Sequence, residues 1–155
     1  MTNLPYIAPQ VQLPRDGGSI VHLPDLKPSA VVLFFYPRDN TSGCTVEAKA
    51  FTSLLCEFEA LNTQVIGVSK DSMKKHLNFI DKQNLKIKLA SDEKGEVTEK
   101  FGVWVEKKMY GRTYMGIERS TFIISGDGKV LEIFRKVKVK NHANLVLEKI
   151  YEILK

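Results

Sequence analysis

Apolar residues along the chain cluster into short runs that predict buried strands. Residues 30–35 form an unbroken apolar run, which is typical of a central strand that is covered on both faces. Residues 64–69 predict a second buried strand, and residues 86–90 predict a shorter third one. The stretches between them have helical spacing, so strands and helices alternate along the middle of the chain.

Two other regions predict β-hairpins, because short strand-like segments flank glycine-containing turns. Near the start of the chain, residues 11–13 and 19–22 form one such pair. Near its end, residues 121–125 and 130–134 form another, around the turn Gly126-Asp127-Gly128. The second hairpin gives the sheet an antiparallel edge.

Four segments have the apolar spacing of amphipathic helices. The first begins near Cys44 and continues to about Leu61. The others cover residues 73–84, residues 96–101 and residues 142–154. The second helix is marked by the i, i+4, i+7 spacing of Met73, Leu77, Ile80 and Asn84.

The order of these elements predicts an α/β fold in a single domain that spans residues 1–155. We expect a mixed central β-sheet flanked by helices, with an N-terminal β-hairpin. A thioredoxin-like architecture fits this order. Periodicity alone does not separate that architecture from other mixed α/β layers.

Composition and charge are those of an ordinary globular protein of 155 residues, with 43% hydrophobic and 26% charged residues and a net charge of +5. Residues 135–140 alternate lysine with valine. This pattern is read as a solvated strand edge, with a nucleic-acid patch as the less favoured alternative, so no nucleic-acid partner is expected.

The cellular setting is predicted from what the sequence lacks. No apolar run is long enough to span a membrane, and the first residues lack the pattern of a signal peptide. Two cysteines are too few for a disulfide scaffold. We therefore expect a reducing, cytoplasmic location and no membrane partner.

Cys44 is the residue whose position carries the most chemical information. It lies where a buried strand is predicted to give way to the N-terminus of a helix. Unpaired N–H groups and the helix dipole favour an anion there, and the thiolate is the reactive form of cysteine. At about 100° per residue, Cys44 lies about 20° from the direction of Phe51, so its sulfur should face the body of the protein. The position predicts an activated nucleophile.

Other familiar catalytic or cofactor-binding patterns are missing from the sequence. His22, His76 and His142 are widely separated and lack metal-ligand spacing, so each is interpreted as a surface or capping residue. The chain has no glycine-rich nucleotide-binding motif. It also has no C-x-x-C motif, because Glu47 and not a second cysteine stands three positions after Cys44. We expect neither a metal nor a cofactor.

Three segments together resemble one protein family. The first reads Phe35-Tyr36-Pro37-x-x-x-Thr41-x-Gly43-Cys44-Thr45. The second covers residues 102–124 and includes Gly116-Ile117-Glu118-Arg119-Ser120-Thr121, and the third covers residues 136–143. Together they resemble the peroxiredoxins, and most of all the bacterioferritin-comigratory-protein branch, also called peroxiredoxin Q. The resemblance extends from the first hairpin to the last helix and implies a thioredoxin-like fold.

The resemblance implies roles for four residues. Cys44 would be the peroxidatic cysteine, whose thiolate attacks the terminal oxygen of a hydroperoxide and becomes a sulfenic acid. Thr41 would hold its hydroxyl beside the sulfur, and Pro37 would shield the pocket from bulk water. Arg119 would hold the thiolate and polarise the peroxide, a task that suits its planar, permanently charged fork.

The sequence departs from that branch where many members have a second cysteine, five positions after the first. Here Lys49 occupies that position. The other cysteine is Cys56, which in an unbroken helix would lie ~18 Å along the axis from Cys44 and point about 120° away. A disulfide needs Cα atoms within ~7 Å. One-cysteine chemistry is therefore expected, with a resolving role for Cys56 as the alternative.

The sequence thus predicts a thiol peroxidase that reduces hydrogen peroxide and small organic hydroperoxides and protects the cell against oxidative stress. A thioredoxin-like or other thiol reductant would regenerate the enzyme, which is expected to be a monomer, with a dimer as the alternative. Three alternative functions are less favoured. A thiol–disulfide oxidoreductase would need a second nearby thiol, and a cysteine hydrolase would need a histidine base linked by motif to Cys44. A basic binding module without peroxidase activity would not depend on Cys44.

Overall fold

The computed structural model describes residues 4–16, 19–22 and 29–154. The strands in this part of the chain are β1 (Tyr6–Ile7), β2 (Gln12–Pro14), β3 (Ile20–His22), β4 (Ala30–Phe35), β5 (Thr63–Ser69), β6 (Lys88–Ser91), β7 (Trp104–Met109), β8 (Arg112–Ile117), β9 (Ser120–Ser125) and β10 (Lys129–Phe134). The helices are α1 (Ser42–Ser53), α2 (Leu55–Ala60), α3 (Met73–Gln83), α4 (Glu96–Lys100) and α5 (His142–Ile153). The order of elements confirms the predicted α/β class.

A six-stranded mixed sheet with the order β1-β10-β9-β4-β5-β6 forms the centre of the molecule. Strand β4 pairs in parallel with β5 and antiparallel with β9, so Leu33 lies opposite Ile66 on one side and Phe122 on the other. All six residues of β4 are buried. The continuous apolar run in the sequence therefore marks the central strand, as predicted.

The two faces of the sheet are covered by separate apolar cores. Alternate residues of β4 point to opposite faces, so Val32 and Phe34 enter one core while Leu33 and Phe35 enter the other. The first core is closed by residues of α1, α3 and α5, among them Phe51, Phe79, Val146 and Ile150. The second core is closed by Leu13 and Val21 of the hairpin β2–β3, by Val97 of α4 and by Phe101, which directly follows α4. The thioredoxin-like expectation is confirmed.

The hairpins agree with the sequence in two cases and were missed in a third. Strands β2 and β3 pair with Leu13 opposite Val21, and β9 pairs with β10, as predicted. Strands β7 and β8 form a further antiparallel pair that the sequence analysis did not assign. The residues of this pair are mostly exposed, so they lack the apolar alternation by which buried strands are recognised.

The helix predicted from near Cys44 to about Leu61 is observed as two consecutive helices. It begins at Ser42, with Thr41 as the N-cap residue, and it breaks at Leu54. A separate short helix, α2, follows the break. The apolar stripe continues across the break, and for this reason the sequence pattern reads as one helix.

The predicted helix at residues 73–84 is confirmed as α3, but its buried face is not the one that the spacing of apolar residues marks. Leu77 is 49% exposed, whereas His76 and Phe79 are fully buried. The helix is rotated toward these two residues because His76 finds buried hydrogen-bond partners, which periodicity of apolar residues does not register. The surface interpretation of His76 is therefore wrong, and so is that of His142, which is 4% exposed.

Residues 135–140 are not a strand edge, because β10 ends at Phe134. They form an irregular segment in which Val137 donates its N–H to the carbonyl oxygen of Arg119 at 2.9 Å. Within the described part of the chain, no helix is both long enough and apolar enough to cross a membrane.

Candidate active site

Cys44 lies in the first turn of α1, directly beyond the central strand β4. The first hydrogen bond of this helix runs from the N–H of Thr45 to the carbonyl oxygen of Thr41, at 2.9 Å. The N–H groups that precede it in the helix have no intrahelical acceptor, and they favour negative charge at this end. The side chain of Cys44 belongs to the core on the α1 face and is 1% exposed, so the predicted inward orientation is confirmed.

Arg119 is the cation that meets this sulfur. Its Nη2 atom lies 3.3 Å from Sγ of Cys44. Its Nη1 atom donates to Oε1 of Glu47 at 2.8 Å. The guanidinium therefore holds two acidic groups side by side on the same helix, and its side chain is only 17% exposed.

The backbone on both sides of Arg119 is held by hydrogen bonds. Arg119 stands between β8 and β9, and its carbonyl oxygen accepts the N–H of Val137. The N–H of the preceding residue, Glu118, donates to the carbonyl oxygen of Val103 at 2.7 Å. Gly43 leaves space for the guanidinium, since a Cβ atom there would lie 3.2 Å from Nη2 of Arg119. The fold thus fixes the approach of the cation to the sulfur.

Glu47 is a functional-site residue that the sequence analysis did not identify. It is 1% exposed, and its Oε2 atom is the single buried side-chain polar atom without a hydrogen-bond partner in the described part of the chain. Burial raises the pKa of Glu47 to about 7, although Arg119 acts in the opposite direction. A signal was present in the sequence: Glu47 interrupts the apolar face formed by Cys44, Ala48 and Phe51.

Two more basic groups lie around the guanidinium. Burial and the charge of Arg119 lower the pKa of His142 to about 4, so this imidazole is neutral near pH 7. Its Nε2 atom lies 2.8 Å from Oγ1 of Thr121. Burial, followed by the charge of Arg119, also lowers the pKa of Lys107 on β7, while Cys44 acts to raise it. For Arg119 itself, burial lowers the pKa, but Glu47 and Cys44 outweigh that effect and raise it.

Thr41 and Pro37 lie on the loop between β4 and α1, and both are exposed. The hydroxyl of Thr41 donates to the carbonyl oxygen of Arg38 at 2.9 Å. A hydroxyl that donates in this way keeps its capacity to accept a hydrogen bond. The loop therefore presents an acceptor oxygen next to the helix N-terminus that carries Cys44.

A buried polar cluster anchors this loop to the body of the protein. Asp39 Oδ1 accepts the hydroxyl of Tyr36 at 2.6 Å, and Asp39 Oδ2 lies 2.6 Å from Nδ1 of His76. The other ring nitrogen, Nε2, lies 2.9 Å from the carbonyl oxygen of Ala90. Because a carbonyl oxygen can only accept, Nε2 of His76 carries a hydrogen and donates it to Ala90.

Asp71 completes the anchor from the end of β5. Its Oδ2 atom accepts the N–H of Asp39 at 2.8 Å and the hydroxyl of Ser69 at 2.7 Å. Burial, followed by the charge of Asp39, raises the pKa of Tyr36 well above its usual value, so Tyr36 stays a hydroxyl donor.

The ligand atoms of Asp39, Asp71 and His76 lie within 4.8 Å of one another, which is close enough to surround a metal ion. Each of these atoms already has a protein hydrogen-bond partner at 2.8 Å or less. The arrangement is satisfied without an ion, so its evident task is to fix the loop that precedes Cys44.

Cys56 lies apart from this constellation. It is exposed on α2, beyond the helix break at Leu54, and it is a free thiol, as Cys44 is. The structure brings together Cys44 and Arg119 from the set that the sequence analysis selected, with Thr41 and Pro37 on the adjoining loop. It does not join Cys56 to them.

Comparisons with known proteins agree with this geometry. The AhpC/TSA family model matches residues 6–133. Peroxiredoxin Bcp of Bacillus subtilis is 45% identical over 141 residues, which are 91% of this chain and 90% of that protein. Peroxiredoxin Bcp of Escherichia coli is 40% identical over 141 residues, with the same coverage. A solved structure of Xanthomonas campestris peroxiredoxin Q matches with a TM-score of 0.89 and 41% identity, over 94% of this chain and 92% of that one.

The fold and the relatives of this chain are those of thiol-dependent peroxidases. The chain belongs to the AhpC/TSA family, and its relatives of high identity are peroxiredoxins of the Bcp and peroxiredoxin Q type. As an enzyme it reduces hydroperoxides through a reactive thiol, as the sequence resemblance implied.

Proposed function

We propose that Cys44 is the peroxidatic cysteine and that Arg119 is its electrostatic partner. The observation that carries this assignment is the 3.3 Å contact between Nη2 of Arg119 and the sulfur. A guanidinium that donates to sulfur favours the thiolate over the thiol, and the N-terminus of α1 adds to the same preference. Both groups are fixed before the peroxide arrives, so they need little reorganisation during the reaction.

In the chemical step the thiolate of Cys44 attacks the terminal oxygen of the hydroperoxide. A bond forms between sulfur and that oxygen while the O–O bond breaks, and the electron pair leaves with the second oxygen. The products are a sulfenic acid on Cys44 and, after protonation, water or an alcohol. Negative charge moves from sulfur to the leaving oxygen, and Arg119 is placed to stabilise both positions.

Thr41 and Pro37 are assigned supporting roles at the mouth of the site. Thr41 already donates to Arg38, so its oxygen is available to accept the O–H of the bound peroxide. Pro37 offers an apolar, donor-free surface at the loop, which limits the access of bulk water to the sulfenic acid. Asp39 holds both residues in place through the buried cluster with Tyr36 and His76.

The substrates are hydrogen peroxide and small organic hydroperoxides. The bacterioferritin comigratory protein of Xanthomonas campestris, which is 41% identical to this chain, has alkyl peroxide reduction activity. A sulfur that is 1% exposed favours small peroxides, because a bulky one could not bring its O–O bond into contact without rearrangement.

The catalytic cycle is completed by an external thiol, for which a thioredoxin-like protein is our candidate. Lys49 stands where a nearby resolving cysteine would be, and Cys56 is exposed on a separate helix. The sulfenic acid therefore waits for a thiol from outside the chain. Cys56 as the resolving residue is the alternative, and it would require α1 to unwind.

We further propose a single domain over residues 1–155, acting as a monomer in the cytoplasm. The first described strand, β1, belongs to the central sheet, and the last described helix, α5, packs on it, which supports one folding unit. Two free thiols are consistent with a reducing compartment. Sedimentation velocity tests the monomer, and a concentration-dependent dimer would replace it.

The first test is the intact mass of the reduced protein after one equivalent of hydrogen peroxide in the presence of a sulfenic-acid trap. We expect one adduct, located on Cys44, and none in a Cys44→Ser variant. Cys56→Ser is the matched control and should form the same adduct at the same rate. A Cys44–Cys56 disulfide would assign the resolving role to Cys56, and peroxide consumption that persists in Cys44→Ser would remove the assignment of Cys44.

A further inference from the structure

The buried carboxyl of Glu47 has an unusual hydrogen-bond balance. One oxygen accepts from Arg119 at 2.8 Å, while the other, Oε2, is buried and has no partner in the described part of the chain. Buried polar atoms are nearly always paired, so an unpaired one calls for a reason. An ionised carboxylate with a dry, unpaired oxygen is far more costly than a neutral carboxyl in the same place.

Glu47 and Cys44 contact the same cation, Arg119. Nη1 of Arg119 contacts Glu47, and Nη2 contacts Cys44, so one positive charge faces two groups that can each become an anion. With one of them ionised, the three side chains carry no net charge. With both ionised, they carry an uncompensated negative charge in a site that excludes water, which is unfavourable.

We infer that Glu47 is the proton partner of Cys44: the two acids hold one proton between them, and Glu47 keeps it while Cys44 is a thiolate. Glu47 then gives this proton up once the sulfur has become a neutral sulfenic acid, because Arg119 is left with Glu47 as its only anionic partner. The reactive thiolate is thereby formed without the build-up of negative charge in the core. Such groups titrate as a pair and not singly.

The proton and electron balance closes without any further reactant. The thiol and the Glu47 carboxylate become a thiolate and a carboxylic acid. The thiolate displaces RO⁻ from ROOH and becomes a sulfenic acid, and RO⁻ becomes ROH with one proton. Glu47 releases one proton in the same reaction, and this proton offsets the one that RO⁻ takes up. Thiol and peroxide therefore become sulfenic acid and alcohol with no net exchange of protons with solvent.

The surrounding charges are compatible with this exchange. Lys107 on β7 and His142 at the start of α5 also respond to the charge of Arg119, and His142 is neutral near pH 7. Burial raises the pKa of Glu47 to about 7, near the working pH of an intracellular enzyme. The next acidic residue on this side, Glu118, is paired with Arg135 at 2.9 Å and lies outside the shared contact.

Proton stoichiometry tests the inference directly. Reduced protein is mixed at pH 7 with one equivalent of hydrogen peroxide in weak buffer that contains a pH indicator. Glu47→Gln keeps an oxygen that can accept from Arg119 but cannot carry the proton, so it should take up one proton more per peroxide than the wild type. Glu57→Gln, an exposed change on α2, is the matched control and should behave as the wild type. Equal uptake in all three proteins would overturn the inference.

A difference infrared spectrum between the reduced and oxidised wild-type protein gives a second readout that does not depend on a variant's folding. We expect a carboxylic-acid band in the reduced protein that is lost on oxidation, and its absence from the Glu47→Gln spectrum identifies it. The inference rests on the proposed role of Cys44, so the sulfenic acid is trapped in the same sample. An adduct without the band change overturns the role of Glu47 alone, whereas no adduct overturns the role of Cys44 as well.

Discussion

The Nη2 atom of Arg119 lies 3.3 Å from the sulfur of Cys44, although 75 positions separate the two residues in the chain. The central strand β4 leads through a short loop to the helix that carries Cys44, and its antiparallel neighbour β9 begins immediately after Arg119. The register between the two strands places Phe35, the last residue of β4, opposite Ser120, which directly follows Arg119. The pairing of two strands therefore sets the geometry of the site.

Replacing Arg119 by alanine should slow peroxide reduction by about 10²–10³-fold, the usual cost of removing a fixed donor from a developing charge. The thiolate also loses its cation, so the pH–rate profile should move to higher pH. Stopped-flow reduction of hydrogen peroxide at several pH values measures both effects. Arg112→Ala, at an exposed position on β8, should leave the profile unchanged, and an unchanged profile in Arg119→Ala would remove that residue from the site.

In a Cys44→Ala protein, where no thiolate shares the proton, Glu47 should make the folded state less stable as the pH rises. Burial raises the pKa of Glu47 from 4.5 to about 7, so the native state binds more protons than the unfolded state between these values. Cys44→Ala should lose up to about 1.4 kcal/mol of unfolding free energy per pH unit across that window. The double variant Cys44→Ala/Glu47→Gln should lack this loss in urea unfolding measured at pH 4.5 and pH 7.5. A parallel slope in both proteins would contradict the assignment.

His142 should act in the opposite sense on the acid side. Its pKa is lowered by burial and by Arg119 from 6.5 to about 4, so the native state binds fewer protons than the unfolded state in this range. Stability should therefore fall as the pH drops from 6.5 toward 4. In His142→Gln this fall should be smaller, as monitored by thermal unfolding at half-unit pH steps. If the variant and the wild type lose the same stability, another group is responsible.

The anchor formed by Asp39 and His76 should affect both folding and chemistry. His76→Leu leaves Asp39 as a buried carboxylate without its ring partner, and breaking such a pair typically costs about 3–5 kcal/mol. At temperatures where the variant is still folded, kcat/KM for peroxide should drop because the loop that carries Thr41 is no longer fixed. Asp81→Asn, at an exposed position on the same helix, should change neither quantity. Normal kcat/KM in the folded His76→Leu protein would limit the cluster to a structural role.

Most of the fold can be predicted from local sequence pattern, because buried strands and amphipathic helices have characteristic spacings of apolar residues. The β4 run, the two predicted hairpins and the inward direction of Cys44 are examples. The hairpin β7–β8 has no such spacing of apolar residues, because most of its residues are exposed to solvent. The break at Leu54 is invisible for a related reason: an apolar stripe that passes through it looks continuous.

The site was predictable where it depends on a motif and unpredictable where it depends on buried polar residues. Cys44 and Arg119 were selected from sequence, although their contact could not be. Glu47 and His76 were passed over because charged and imidazole side chains on helices usually face solvent. Each is buried because a distant partner satisfies it, and the sequence does not show which partners the sheet will bring within reach.

The break at Leu54 has a kinetic consequence. A sulfur that is 1% exposed can be reached by a small thiol, but it cannot be reached by the rigid active-site surface of a protein reductant. If the reductant is a protein, we expect the first turns of α1 to open, and the break at Leu54 separates these twelve residues from α2, which keeps Phe58 in the core. The rate of reduction by a protein donor then saturates at the opening rate, whereas the rate with a small thiol continues to rise with its concentration.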